Sequence, residues 1–198
     1  DYATRLPGTK MTGNAHTLAC ACQPLLCRCP APLHCRTLPH GVQLEDKPVI
    51  RGIHHVGIHV HDLDRMVKFY KDAFGFELVG EEFGWRDSEF IDRIVDVPGS
   101  AARGAMLRAG TCYMELFQYS APAPTVTSPL HPYDKGYTHF CVDVTDIEQE
   151  FERLKTLGMT FGQPAPIDVG HVKSIYGRDP EGNLIEIQQT AEHCDFQL

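Results

Sequence analysis

The chain has 198 residues, 42% hydrophobic and 22% charged, with a formal net charge of −8. That size suits one globular domain with a remainder, and no apolar run approaches the ~18 residues that a membrane helix needs. The negative balance disfavours nucleic acid as a partner, because phosphates are drawn to a basic field.

The first segment in chain order is residues 1–47. It carries Cys20, Cys22, Cys27, Cys29 and Cys35, repeated proline, and Tyr2 as its sole aromatic residue. With no apolar period it cannot bury enough surface to offset chain entropy, and it reads as a disordered Cys- and Pro-rich leader. Cys20-x-Cys22 and Cys27-x-Cys29 offer thiolates that zinc accepts. Their spacing is not that of a zinc finger, however, and Pro24 and Pro30 interrupt the run. Cys112, Cys141 and Cys194 are scattered through the remainder, as in a reducing cytoplasm.

Residues 48–192 form the expected domain, and this domain repeats itself. Arg51–Asp64 laid on Gly136–Glu148 places His55 on His139, Ile58 on Val142, Val60 on Val144 and Asp62 on Asp146. Each copy reads as a short strand entering a helix. In the first helix Leu63, Met66, Val67, Tyr70 and Phe74 fall on one face, with Asp62 as N-cap and Gly75 as stop. In the second, Ile147, Phe151 and Leu154 fall on one face, Asp146 and Gln149 form a capping box, and Gly158 ends it.

A second anchor follows. Cys112–Gln118 parallels Asn183–Gln189, placing Glu115 on Glu186. Both stretches are β-prone with a carboxylate at the centre, and alternation sends Met114 and Leu116, or Ile185 and Ile187, to the opposite face. The halves span about residues 50–118 and 136–190, joined by the proline-rich stretch 120–135. Two βαβββ units of an α+β protein would bring His55, Glu115, His139 and Glu186 around one axis. Two imidazoles and two carboxylates suit one divalent cation, whose charge the carboxylates balance. Zn, Ni, Co, Mn, Mg and Fe all accept such donors. His59 and His61 share a strand face with His55, while His54 points away from it. His131 and His171 fall in loops as weaker candidates for substrate contact. Phe90, Ile91, Ile94 and Val95 give the insertion 87–99 a helical apolar face, suited either to covering a pocket mouth or to ordinary packing.

The stretches His55-Val-Gly-Ile58, Phe69-Tyr70 with Gly75-Phe76, Met114-Glu115-Leu116, His139-Phe140 and Arg178-Asp-Pro-Glu-Gly-Asn-Leu-Ile-Glu186 resemble the vicinal oxygen chelate superfamily. The resemblance covers about residues 50–190. It implies paired βαβββ modules forming a curved mixed sheet around a metal cavity, often in homodimers. With all four ligand positions filled, it implies a glyoxalase-like lyase or epimerase-like isomerase in the cytoplasm, acting on a small carbonyl or thioester substrate. The metal would polarise the carbonyl and stabilise an enediolate while a carboxylate moves the α-proton. Glu186 would serve as ligand and base, Glu115 as ligand with a catalytic part, and Glu82 or Glu81, read on the strand after the first helix, as a separate base. His59 stands where a bacterial glyoxalase I typically has an arginine that helps to hold glutathione, and residues 168–173 depart from its second-half loop. An Fe(II)-dependent ring-cleaving dioxygenase and a non-catalytic sequestering resistance protein are the alternatives.

Overall fold

A computed structural model describes residues 50–126, 128–192 and 194. The leader and its thiolate run lie outside the described residues. The described residues form one compact unit.

The two halves fold by one plan. In the first, strand β1 (His55–His59) leads into helix α1 (Leu63–Phe74). Short strands β2 (Glu77–Leu78) and β3 (Phe83–Trp85), helix α2 (Glu89–Val95), and long strands β4 (Ala101–Ala109) and β5 (Cys112–Ala121) follow. The sheet runs β1-β5-β4-β2, with β3 also on β4. The second half has β6 (His139–Asp143), α3 (Ile147–Thr156), β7 (Thr160–Phe161), β8 (Ile167–Asp168), β9 (Val172–Arg178) and β10 (Leu184–Thr190). Its sheet runs β6-β10-β9-β7, with β8 also on β9. In both halves the first strand lies parallel to the last, the pairing that a helical crossover permits.

The helices form where the sequence places them. Asp62 accepts from Arg65 N, Asp146 accepts from Gln149 N, and Gly75 ends α1 in the left-handed region at φ 66°. A further repeated contact seats each helix on its sheet. Gln118 Oε1 accepts from Leu63 N at 3.3 Å, and Gln189 Oε1 accepts from Ile147 N at 3.0 Å.

One core serves both halves. Leu63, Met66, Tyr70, Leu107 and Leu116 from the first join Ile147, Leu154, Ile185 and Ile187 from the second, all fully buried. Polar contacts cross the same boundary. Tyr70 donates its hydroxyl to Asp179 at 2.8 Å, and the Glu181 carboxylate accepts from His61 N and Asp62 N at 2.6 and 2.9 Å. Arg153 donates to the carbonyls of Asp72 and Ala73 at the end of α1.

The first half is thirteen residues longer between its histidine and its glutamate, the length of the insertion 87–99. Helix α2 does form there, capped by Ser88, but none of its residues is buried. Phe90 and Ile94 stay more than 60% exposed. The segment is held instead by Asp92, which accepts from Gly99 N, Ser100 N and the Ser100 hydroxyl. Glu81 and Glu82, expected on a strand, lie in the loop between β2 and β3.

Candidate functional site

Strand alternation decides which side chains leave the core. Met114 and Leu116 are buried beneath β5, so Glu115 projects from the other face; Ile185 and Ile187 likewise turn Glu186 outward. The parallel pairing then fixes where each histidine stands. Glu115 is opposite Gly57, two residues beyond His55, and Glu186 is opposite Cys141, two residues beyond His139. Identical register gives identical geometry. His55 Nε2 lies 3.3 Å from Glu115 Oε2, and His139 Nε2 lies 3.4 Å from Glu186 Oε2. The glutamates are more sheltered, each with about a fifth of its side chain exposed, against 41% and 32% for the histidines.

These pairs fit a metal by donor chemistry and by spacing. Donors held at ~2.1 Å from an ion stand about 3.0 Å apart at a right angle and about 3.4 Å apart at a tetrahedral angle. Each pair matches two neighbouring positions of one coordination sphere. The sequence leaves open whether the four meet within one chain or across two; among the described residues no three His, Cys, Asp or Glu side chains cluster to hold a metal. The structure presents two half-sites.

The other predicted residues fall as follows. Glu82 does not join either pair. Its carboxylate is 2.8 Å from Arg103, which also holds Asp64 at 2.9 Å. Arg103 is three residues from Met106, the partner of Glu115 across β4 and β5, so it points to the opposite face of the sheet. Tied there to a guanidinium, the Glu82 carboxylate lies away from both His–Glu pairs. His54 stacks on Tyr113 at 5.0 Å and its Nδ1 is 2.9 Å from His55 Nδ1. His59 packs against His61 at 5.8 Å, and burial together with His61 holds its pKa below the ordinary value. His131 is paired with Asp134 and stacked on Tyr133. A cleft of about 490 Å³ between the outer edges of β1 and β6 is lined by His59, His61, Tyr137, His139, Glu181 and Asn183. It reaches His139 but none of the other three candidate ligands.

Three residues beside Glu186 were not found from the sequence. Ser174 donates to Glu186 Oε1 at 2.5 Å, and the Tyr176 hydroxyl is 3.1 Å from His139 Nε2. Burial and the Glu186 charge raise the Tyr176 phenol. The third is Cys141, whose thiol is pushed up to about 12, first by burial and then by the carboxylates of Glu186 and Asp143. Counting back from Glu186 across the Asp179–Asn183 turn would have reached Tyr176, which stands opposite it. The raised pKa keeps Cys141 a neutral thiol. In chelator-treated protein at pH 8, iodoacetamide should label Cys141 at least about a hundredfold more slowly than free cysteine. Peptide mass spectrometry measures this, and labelling at the free-cysteine rate would contradict the assignment.

Two βαβββ modules, each carrying one His–Glu pair at the same register, define a duplicated α+β protein of the vicinal oxygen chelate type. The chain belongs to the Glyoxalase/Bleomycin resistance protein/Dioxygenase superfamily, whose model matches residues 52–187. It is 32% identical over 153 residues to a 2-epi-5-epi-valiolone epimerase from Actinomyces sp, covering 74% of this chain and 83% of the relative. It is 26% identical to a lactoylglutathione lyase from Schizosaccharomyces pombe, covering 71% of this chain and 48% of that protein. A glyoxalase family protein from Bacillus cereus shares the fold, with a TM-score of 0.64 at 23% identity over 73% of this chain and 97% of that one. Among the described residues no helix is long and apolar enough to cross a membrane.

Proposed function

We propose that the chain is a metal-dependent isomerase of the epimerase type, moving a proton on the carbon next to a carbonyl of a small molecule. His55, Glu115, His139 and Glu186 would hold one divalent ion. Because the two pairs stay apart within a chain, the first pair of one copy would meet the second pair of another in a twofold homodimer. A bound ion would supply Lewis-acid polarisation of the carbonyl oxygen. Glu186 would take the α-proton from one face on a carboxylate oxygen, and Glu115, protonated across the site, would deliver a proton to the other face. His59 stands where a bacterial glyoxalase I typically has an arginine that helps to hold glutathione, which disfavours that peptide thiol as substrate.

The observation that carries this reading is the repeated His–Glu spacing of 3.3 and 3.4 Å at matching register. The relative named as an epimerase, at 32% identity, sets epimerisation ahead of glyoxalase chemistry, represented by a relative at 26%. The test is to strip the protein with chelator, reload it with Zn, Ni, Co or Mn, and incubate it in heavy water. Small ketones, 2-epi-5-epi-valiolone among them, would be read for deuterium at the α-carbon. Deuterium incorporation that depends on the reloaded metal is expected. Tight binding without exchange would indicate a sequestering protein, and oxygen uptake with a catechol would indicate a dioxygenase; either result overturns the proposal.

A further inference from the structure

The two half-sites differ in what holds them. Beside the second pair stand two hydroxyls: Ser174, bonded to Glu186 Oε1 at 2.5 Å, and Tyr176, 3.1 Å from His139 Nε2. Across β9 and β10, Tyr176 is opposite Glu186 and Ser174 is opposite Gln188. The same positions across β4 and β5 are Met106, opposite Glu115, and Gly104, opposite Phe117. Neither of those side chains can donate a hydrogen bond. No larger residue fits at Gly104 without moving its neighbour, since a Cβ there would come within 2.5 Å of the Phe83 ring. The duplicated halves have therefore diverged: one carboxylate is pinned by a hydroxyl, and its counterpart faces a methionine and a covered glycine.

We infer that Ser174 is a positioning residue that makes His139–Glu186 the anchored half of the metal site and leaves His55–Glu115 the adjustable half. The inference rests on the metal reading proposed above. A carboxylate turns freely about its last bond, and it loses that freedom when it binds an ion. With Oε1 tied to Ser174, Glu186 already presents Oε2 towards His139, so less freedom remains to be lost. Such outer partners set the orientation of metal ligands and commonly change affinity by ten- to a hundredfold when removed. Tyr176 acts differently. Its hydroxyl occupies the nitrogen that the ion would take and also neighbours Glu186, so it must turn aside on binding, and its loss frees that nitrogen.

The test uses the full chain, stripped by chelator and titrated with Co(II), read by visible absorption and by chelator competition. Ser174→Ala should weaken Co(II) about 10- to 100-fold, while Ser174→Thr, which keeps the hydroxyl, should recover to within about threefold of the parent. Tyr176→Phe should bind Co(II) as tightly as the parent or more tightly. Circular dichroism verifies folding. Should the alanine variant not fold, Ser174→Val decides, because valine matches threonine in shape without a donor and should lose at least about fivefold. If the parent binds Co(II) and the folded Ser174 variants match it within about twofold, the positioning role is overturned and the metal reading stands. If the parent takes up no Co(II), the metal reading itself fails and the inference falls with it.

Discussion

Glu186→Gln should cut α-proton exchange by about 10²- to 10⁴-fold, the usual weight of a positioned base. The amide keeps the size and the contact with Ser174 but can neither take a proton nor balance the ion's charge. A second result follows from the separated half-sites. Mixed after co-refolding, a Glu186→Gln chain and a His55→Ala chain would form hybrid dimers in which one of the two shared sites is intact. Random pairing then returns about a quarter of the parental exchange rate. If each site closed within its own chain, mixing would restore nothing. Full exchange by Glu186→Gln alone would remove this glutamate from the mechanism. The measurement is proton NMR of the substrate α-position in heavy water, with a denaturation midpoint as the fold control.

Asp179→Ala should cost about 3–5 kcal/mol of stability, the largest single loss expected outside the apolar core. Asp179 is 3% exposed and accepts from four donors: the Tyr70 hydroxyl, Glu181 N, Asn183 N and Asn183 Nδ2. Alanine leaves these donors without an acceptor in a place largely closed to water, and each buried unpaired donor costs about 1–3 kcal/mol. The effect reaches beyond the loop. Tyr70 belongs to α1 of the first half, and Asp179 shapes the turn from which Glu181 caps the amides of His61 and Asp62. Removing it therefore loosens one half against the other. Urea unfolding of the variant should show an earlier midpoint, and a shift worth less than about 1 kcal/mol would show that water or another group replaces the carboxylate.

The relation between sequence and structure is clearest where both halves can be compared. Asp62 and Asp146, Leu63 and Ile147, Glu115 and Glu186 all stand where spacing alone placed them. Each depends on a period of 3.6 or 2 within a dozen residues, and such periods are written along the chain. Glu82 shows the opposite case. On sequence grounds it is a candidate separate base on the strand after the first helix. Its fate was set by Arg103, twenty-one residues away, which turns to the same face of the sheet and neutralises it. Helix α2 is intermediate: its apolar period was legible and the helix formed, but nothing covers it among the described residues, because periodicity states what a face could bury and not what meets it.

By itself the sequence determined a duplicated strand–helix–strand plan and the phase of one histidine and one glutamate in each copy. Those features follow from short-range steric rules that every residue obeys locally. Only the tertiary structure decided that the four candidate ligands stand as two pairs, that Ser174 and Tyr176 attend one pair alone, and that Asp179 and Glu181 lock the halves together. Each of these depends on register between strands and on packing between modules, where residues far apart in the chain meet through contacts that no local period encodes.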